Sequence, residues 1–320
     1  MTEATEATTY GKINLHLQVG PLREDGYHDL VTVFHSVDLP ETVTLHPAST
    51  DHLTVKGFDA HRVPTDSRNL VWAAVNAIRA HAEQVIPEAA DHIRQSLHLT
   101  IRKGVPVAGG MAGGSADAAA ALRVATNFYF RDHPQDRPGQ AELMRIAATI
   151  GADVPFCLMG GTALGTGKGE HLTPVLTDAS YHWAIATNKK GLSTPKVFGQ
   201  LDALRAQAAA DSRPLTTAGK PDELLTALRS ADPHQLAPHL ANDLQPAAIS
   251  LLPELRETLA AGKEAGALAC IVSGSGPTIA MLCDTHAHAV DVATAVSVAG
   301  KASSTMVTTS VAGRRGGGVA

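Results

Sequence analysis

Apolar and polar residues alternate in "INLHLQVG", placing Ile13, Leu15, Leu17 and Val19 on one face. That period of two predicts a half-buried strand. The polar "MTEATEATTYGK" ahead of it reads as a disordered start. Asp25-Gly26 marks a hairpin turn into a second strand, "LVTVFHSVDL", and "ETVTLHP" and "HLTVKG" supply a third and a fourth. The spacing then becomes helical, with Leu70, Ala73, Ala74, Ala77 and Ile78 lining one side of a segment from Asn69 to Ala82. "SLHLTIRKGVP" is a further strand, and it runs into a glycine-rich loop followed by an alanine-rich helix reaching about Phe130.

A short helix from Ala141 to Ile150 follows, with Gly151 as its C′ glycine. "DVPFCLMGGTALGTG" reads as two apolar strands turning at Gly160-Gly161. Thr173 to Ser180 is turn-rich and reads as a domain boundary, after which "WAIAT" begins a new strand. Helices dominate from "STPKVFGQL" to Ala265. The strands "ALACIV" and "IAMLC" flank "SGSGPT", and a helix from His286 to Val298 precedes a last strand, "SSTMVTTSV". Strands and helices without strict βαβ order predict an α+β fold in both halves.

The 320 residues, 44% hydrophobic, are enough for two domains. A formal net charge of -5 argues against a general nucleic-acid or anionic-membrane surface, so an anionic ligand needs a local site. Cys157, Cys270 and Cys283 lie far apart with no C-x-x-C pair, so neither a disulfide framework nor a zinc cage is suggested. With no signal peptide and no apolar run of about 20 residues, the chain reads as cytoplasmic. The sixteen histidines carry no metal-ligand spacing and read as solvated surface groups.

The candidate chemistry starts in "PVAGGMAGGSADAAAAL", Pro106 to Leu122. Pro106, Val107, Ala108, Gly109, Gly110, Met111, Ala112, Gly113, Gly114, Ser115 and Ala116 form a loop that delivers the chain to a helix, with Ser115 of the residue class that caps helices. Unpaired N–H groups at the positive end of a helix bind anions, phosphate above all. No lysine precedes Ser115, which excludes a Walker P-loop; G-x-G-x-x-G, H-R-D and D-F-G are absent as well.

This loop, the N-terminal "GKINLHL" and the C-terminal "SGSGPT" stand in the order of three signatures of the GHMP kinases. That is the family of galactokinase, homoserine kinase, mevalonate kinase and phosphomevalonate kinase, and the resemblance spans residue 10 to about 312. It implies ATP and Mg²⁺ as cofactors, a small-molecule alcohol as substrate, and no nucleic-acid or membrane partner. It also implies a two-domain fold with the active site in the cleft between domains. Residues 1–178 would be a ribosomal S5 domain 2-like ATP-binding domain, 179–312 an α/β-plait domain, and 313–320 a disordered tail. "REDGYHDLVTVF", "GADVPF" and "NDLQPA" resemble, more narrowly, segments of a member whose alcohol substrate carries a cytidine.

The resemblance assigns roles residue by residue. Asp153 would be the general base on a tertiary hydroxyl, and Lys12 would stabilise charge in the transition state. The loop from Pro106 to Ala116 would hold the triphosphate, Ser115 meeting the phosphate or its Mg²⁺, with Asn69 near the adenine. Tyr27 and Phe198 would sandwich the cytosine while His28 bonds its edge; stacking of this kind is worth about 1–3 kcal/mol per base. Asn14 would orient the substrate from the same strand face as Lys12. Ser273, Gly274, Ser275 and Gly276 would line the phosphate region. Three positions depart from the family pattern: Gly11 stands where alanine is usual, and Met111-Ala112 where Leu-Gly is usual. Another alcohol kinase of the family, or a nucleotide-binding protein that lost the reaction, are the rival readings.

Overall fold

The computed structural model describes residues 4–107, 109–177, 179–213 and 215–311. Strand β1 (Thr5–Leu22) begins well before the apolar alternation, so the expected disordered start is ordered pairing from Thr5 onward. Its neighbour β2 (His28–Ala48) is one strand where the sequence pattern suggested two. The reason is phase: Val33, His35, Val37, Leu39, Glu41, Val43 and Leu45 are all buried, so the alternation runs unbroken through Pro40. Proline's fixed φ is compatible with extended backbone, and it costs only one N–H. Between β1 and β2 the expected hairpin turn is present, with Gly26 at φ +79° and its N–H donated to Arg23 O at 3.0 Å.

The chain divides into two compact units, each receiving one part of β1 and of β2. The first comprises Met1–Gly11, Leu39–Val107 and Ala112–Met159. It contains β3 (His52–Gly57), α1 (Leu70–Val85), α2 (Ala90–Ile93), β4 (Ser96–Lys103), α3 (Gly113–Tyr129), α4 (Gln140–Ile150) and α5 (Val154–Met159). Strand β4 pairs antiparallel with β2, Leu45 opposite Leu99, and parallel with β3, Leu53 opposite Leu99. Helices α1 and α3 pack on each other over Val43, Leu45, Leu97, Leu99 and Ile101. The run Ala118 to Ala121 in α3 is wholly buried, which small side chains permit in a helix enclosed on several sides.

Three local expectations are corrected here. "VPFCLM" forms α5, not a strand: six consecutive apolar residues have no period, Pro155 fits the first helical turn, and burial on all sides suits either element. Val154 is accordingly helical, although a residue before proline is biased to extended backbone. Gly160-Gly161 links α5 to the next strand with both glycines at positive φ, and no hairpin forms there. Gly151 ends α4 with φ 178°, ordinary extended backbone and not a left-handed C′ turn.

The second unit comprises Lys12–Asp38, Ala108–Met111 and Gly160–Ala320. It contains β5 (Thr162–Thr166), β6 (His171–Pro174), β7 (His182–Thr187), α6 (Thr194–Ala210), α7 (Asp222–Ser230), α8 (Pro233–Leu236), β8 (Ala241–Asn242), α9 (Gln245–Leu251), α10 (Glu254–Glu264), β9 (Ala269–Val272), β10 (Ile279–Cys283), α11 (His286–Val298) and β11 (Ser304–Thr309). Strand β5 pairs antiparallel with β2 and with β6, and β8 pairs parallel with β1. A separate antiparallel sheet runs β11-β7-β10-β9. Apolar residues of α6, α9, α10 and α11 close a core with Leu17 and Val19 of β1 and Val272, Ile279 and Met281 of β9 and β10. Mixed sheets and helices in both units agree with the α+β expectation. The tail at 313–320 lies outside the described residues.

Candidate active site

Period-two alternation points Lys12 and Asn14 to the same side of β1, and both are buried. The Lys12 ammonium donates to Asn14 Oδ1 at 2.7 Å and to Gly110 O at 3.2 Å, and lies 5.4 Å from the centroid of the Phe34 ring. Asn14 in turn donates from Nδ2 to Thr32 Oγ1 at 2.8 Å, and Thr32 Oγ1 donates to His16 O at 2.8 Å. The side-chain amide is thus held at both ends and presents its oxygen to the ammonium. Thr32, on β2, was not singled out in the sequence; its only signal was its place inside the motif segment "REDGYHDLVTVF".

The tip of the glycine loop and "SGSGPT" meet this strand. Lys12 N donates to Met111 O at 3.0 Å, Thr278 N to Gly109 O at 3.2 Å, and Ser273 Oγ to Gly110 O at 3.2 Å. Gly110 has φ +76°, and a Cβ there would lie 2.3 Å from Ser273 O, so this approach requires glycine. A Cβ at Gly274 would sit 3.2 Å from Asn14 Oδ1 and 3.5 Å from Lys12 Nζ. Three motifs far apart in sequence therefore converge on one ammonium. Ser275 Oγ is bonded to Thr194 Oγ1 at 2.9 Å, at the start of α6.

Helix α3 opens at Gly113, so Ser115 lies inside its first turn and does not cap it; the cap position is Ala112, at φ 59° and ψ 30°. The position where the family usually has glycine is left-handed here and carries alanine, which costs about 1–2 kcal/mol. The first turn's N–H groups have no partners within the helix. Nothing lies within 4 Å of a Cβ placed on Gly114, so the first turn has open space on that side. This donor set fits a polyphosphate. Among the described residues, no group of three or more His, Cys, Asp or Glu side chains could hold a metal ion. Ala108 lies outside the described residues; Pro106 is buried and Val107 half-buried where the loop begins, and Ala116 O accepts Thr9 Oγ1 at 2.6 Å.

Beneath the helix start is a charged group that sequence reading missed. Lys103 Nζ lies 2.7 Å from Glu41 Oε1 and 2.5 Å from Asp117 Oδ2, and all three residues are buried. Glu41 also accepts Gly104 N and Val105 N, each at 3.2 Å, and touches the space a Gly113 side chain would need. Burial, and then the charge of Asp117, push Glu41 up to about 8 in spite of Lys103. Burial also raises Asp117, against the pull of Lys103. One carboxyl of the pair therefore keeps a proton at neutral pH. The signal available was Glu41 at a core-facing position of an alternating strand.

Asp153 precedes α5, half-buried, its carbonyl accepting Cys157 N at 3.1 Å. Asn69 caps α1: Oδ1 accepts Val71 N at 3.0 Å and Nδ2 donates to Pro64 O at 2.8 Å. Tyr27 is exposed, and Lys168 Nζ lies 3.3 Å from its ring centroid. His28 is buried, with Nδ1 3.0 Å from Gly20 O and Nε2 3.3 Å from Asp202 Oδ2. Its ring stacks on Phe198, centroids 5.2 Å apart and planes inclined by 25°. His28 and Phe198 are thus brought together, and Tyr27 carries Lys168 on its face.

A family model for the GHMP kinases N terminal domain matches residues 69–161, and one for the GHMP kinases C terminal matches residues 224–302. The chain belongs to the GHMP kinase family and is a kinase, in a family that takes ATP as phosphoryl donor. It is 55% identical to a Corynebacterium jeikeium protein named 4-diphosphocytidyl-2-C-methyl-D-erythritol kinase, over 97% of this chain and 92% of that one. A Mycolicibacterium smegmatis protein of the same name is 50% identical over 91% of this chain and 85% of its own length. A crystal structure of 4-(cytidine 5'-diphospho)-2C-methyl-D-erythritol kinase superposes with a TM-score of 0.72 at 27% identity, covering 98% of this chain and 100% of that chain. Among the described residues, no helix is long and apolar enough to cross a membrane.

Proposed function

We propose that the chain phosphorylates the 2-hydroxyl of 4-diphosphocytidyl-2-C-methyl-D-erythritol with ATP, yielding the 2-phosphate and ADP. It would act in the cytoplasm, in the non-mevalonate route to isoprenoid precursors. One geometric observation carries phosphoryl transfer: a buried ammonium, Lys12, lodged between Asn14 and the Gly110 carbonyl at the tip of the glycine-rich loop. Kinship with relatives of that name, about half identical over most of their length, supports the choice of alcohol.

On this reading residues 1–178 serve ATP and 179–312 complete the substrate site. The backbone from Pro106 to Ala116 binds the triphosphate, the Ser115 hydroxyl reaches a phosphate or Mg²⁺, and Asn69 adds to the adenine end while capping α1. MgATP supplies the transferable phosphoryl group and compensation for its charge. The Asp153 carboxylate takes the proton of the 2-hydroxyl as that oxygen bonds to phosphorus and ADP leaves. The Lys12 ammonium, aimed by Asn14, compensates negative charge on the transferring oxygens. Tyr27 stacks on the cytosine, with Phe198 opposite and His28 at the base edge. Ser273, Gly274, Ser275 and Gly276 border the phosphate region.

The test is ADP release by the purified protein with MgATP, in the presence of the cytidyl alcohol, mevalonate or galactose. Turnover with the cytidyl alcohol alone supports the reading. Turnover with another alcohol moves the protein to a different substrate, and ATP binding without turnover of any of the three removes the proposal.

A further inference from the structure

The segment from Asn242 to Gln245 carries three polar side chains, and all three bond to backbone. Asn242 Nδ2 donates to Val272 O and to Gly274 O, both at 2.7 Å, while its Oδ1 accepts Leu244 N at 2.8 Å. These three contacts agree on one orientation of the amide, since a flip would set oxygen against two carbonyls. Gln245 Oε1 accepts Val272 N at 2.9 Å. Strand β9 is the edge of its sheet, so Asn242 and Gln245 satisfy the outward groups of Val272 that a further strand would have taken. Asp243 faces the other way: it accepts Val19 N at 2.8 Å and Ala218 N at 2.6 Å, and meets Arg205 Nη2 at 3.3 Å. Strand β8 itself pairs with β1, Leu17 opposite Asn242.

Asn242 therefore grips the carbonyls on either side of Ser273. Ser273 Oγ donates to Gly110 O, and that same carbonyl receives the Lys12 ammonium. The loop between the two gripped carbonyls includes Gly274 at φ +57°, a conformation with no side chain of its own to hold it. We propose that Asn242 is a positioning residue for phosphoryl transfer, setting the Ser273 hydroxyl and through it the Gly110 carbonyl that aims Lys12. The catalytic part of this inference rests on the function proposed above.

Removing the amide leaves two buried carbonyls short of a donor and frees the loop to shift, and a displacement on the order of 1 Å at reacting groups costs about 100-fold. Asn242→Ala is expected to lower kcat by about 10- to 100-fold, with KM for ATP and for the cytidyl alcohol changed less than about threefold. Combined with Ser273→Ala, the double variant is expected to be no worse than about threefold below the poorer single variant, because both act through one contact. Losses that multiply, an unchanged kcat, or a rise in KM alone each overturn the proposal. Amide hydrogen exchange, measured without substrate, reads the positioning independently: the Gly276 amide, bonded to Ser273 O at 2.9 Å, should exchange faster in Asn242→Ala. Unchanged exchange there refutes the grip even if the wild-type protein turns over no alcohol, an outcome that by itself removes only the substrate reading. Asn242→Ser, which keeps a short donor, replaces the alanine variant if that fails to fold. Failure of both to fold assigns Asn242 to stability and overturns the positioning role.

Discussion

Asp117→Asn is expected to be nearly silent for stability at neutral pH, although it removes one partner of a buried salt bridge. With all three groups ionised, Glu41, Lys103 and Asp117 would bury one net negative charge, and an uncompensated buried ion costs several kcal/mol. Hydrogen bonding distinguishes the two carboxyls. Glu41 accepts three donors, Lys103 Nζ, Gly104 N and Val105 N, whereas Asp117 Oδ1 is buried with no hydrogen-bond partner. The two carboxyls share one proton, and the value of about 8 is that of the pair; Asp117, with the orphaned oxygen, is where the proton sits at least cost, and asparagine replaces a neutral acid of the same shape at a cost of about 1 kcal/mol or less. Glu41→Gln turns an amide group toward backbone N–H donors and should cost about 2–3 kcal/mol. Lys103→Met strips the cation from two carboxyls and should cost about 3–5 kcal/mol. A proton held by the folded protein and released on unfolding makes stability fall as pH rises, here from the ordinary carboxylate range of 4.5 up to about 8. Asp117→Asn should flatten that slope. Urea unfolding of the four proteins at pH 5, 6, 7 and 8 measures both quantities. Asp117→Asn as damaging as Lys103→Met, or milder damage from Glu41→Gln than from Asp117→Asn, would refute the assignment of the proton.

Asp153→Asn should reduce kcat by about 100-fold or more, the scale of general-base catalysis, while ATP binding measured by calorimetry persists; an active variant removes the base assignment. Tyr27→Ala should raise KM for the cytidyl alcohol about 5- to 150-fold with kcat little changed, the equivalent of about 1–3 kcal/mol of stacking, and an unchanged KM rejects the stack. Ala112→Gly should stabilise the protein by about 1 kcal/mol, read as a higher urea midpoint, because the left-handed φ of 59° strains alanine and not glycine. His35, between Thr162 Oγ1 at 2.8 Å and Ser310 Oγ at 2.6 Å, is driven by burial down to about 4. Its folded value lies below its unfolded 6.5, so the stability it contributes is present above pH 6.5 and is lost as pH falls through about 4. His35→Gln should shrink that acid-side loss, and an unaltered acid limb would show that His35 does not titrate on unfolding.

Elements with a strict period were legible in the sequence. The strand "HLTVKG", the helix from Asn69, the helix from His286 to Val298 and the turn at Gly26 all appear where the pattern put them. Errors fell where periodicity is silent. "VPFCLM" has six apolar residues in a row and became a helix, and Pro40 looked like a break until Leu39 and Glu41 proved to stay in phase across it. Ser115 was of the capping class, yet the helix starts earlier, at a left-handed Ala112 that no propensity favours.

By itself the sequence determined the kinds of chemistry available: a glycine loop ahead of a helix, a lysine and an asparagine two apart on a strand, a hydroxyl-bearing second loop, and the family those motifs mark. Such information is local, because residue type and spacing dictate backbone conformation and facing within one element. Only the tertiary structure decided which groups meet: that Gly110 O accepts both Lys12 and Ser273, that Asn242 grips the loop around Ser273, and that Glu41 and Asp117 share Lys103. These partners are up to 163 positions apart, and their contact depends on strand register and burial, which no single segment encodes. Burial also decided protonation, since the same carboxyl groups on a wet surface would simply be charged.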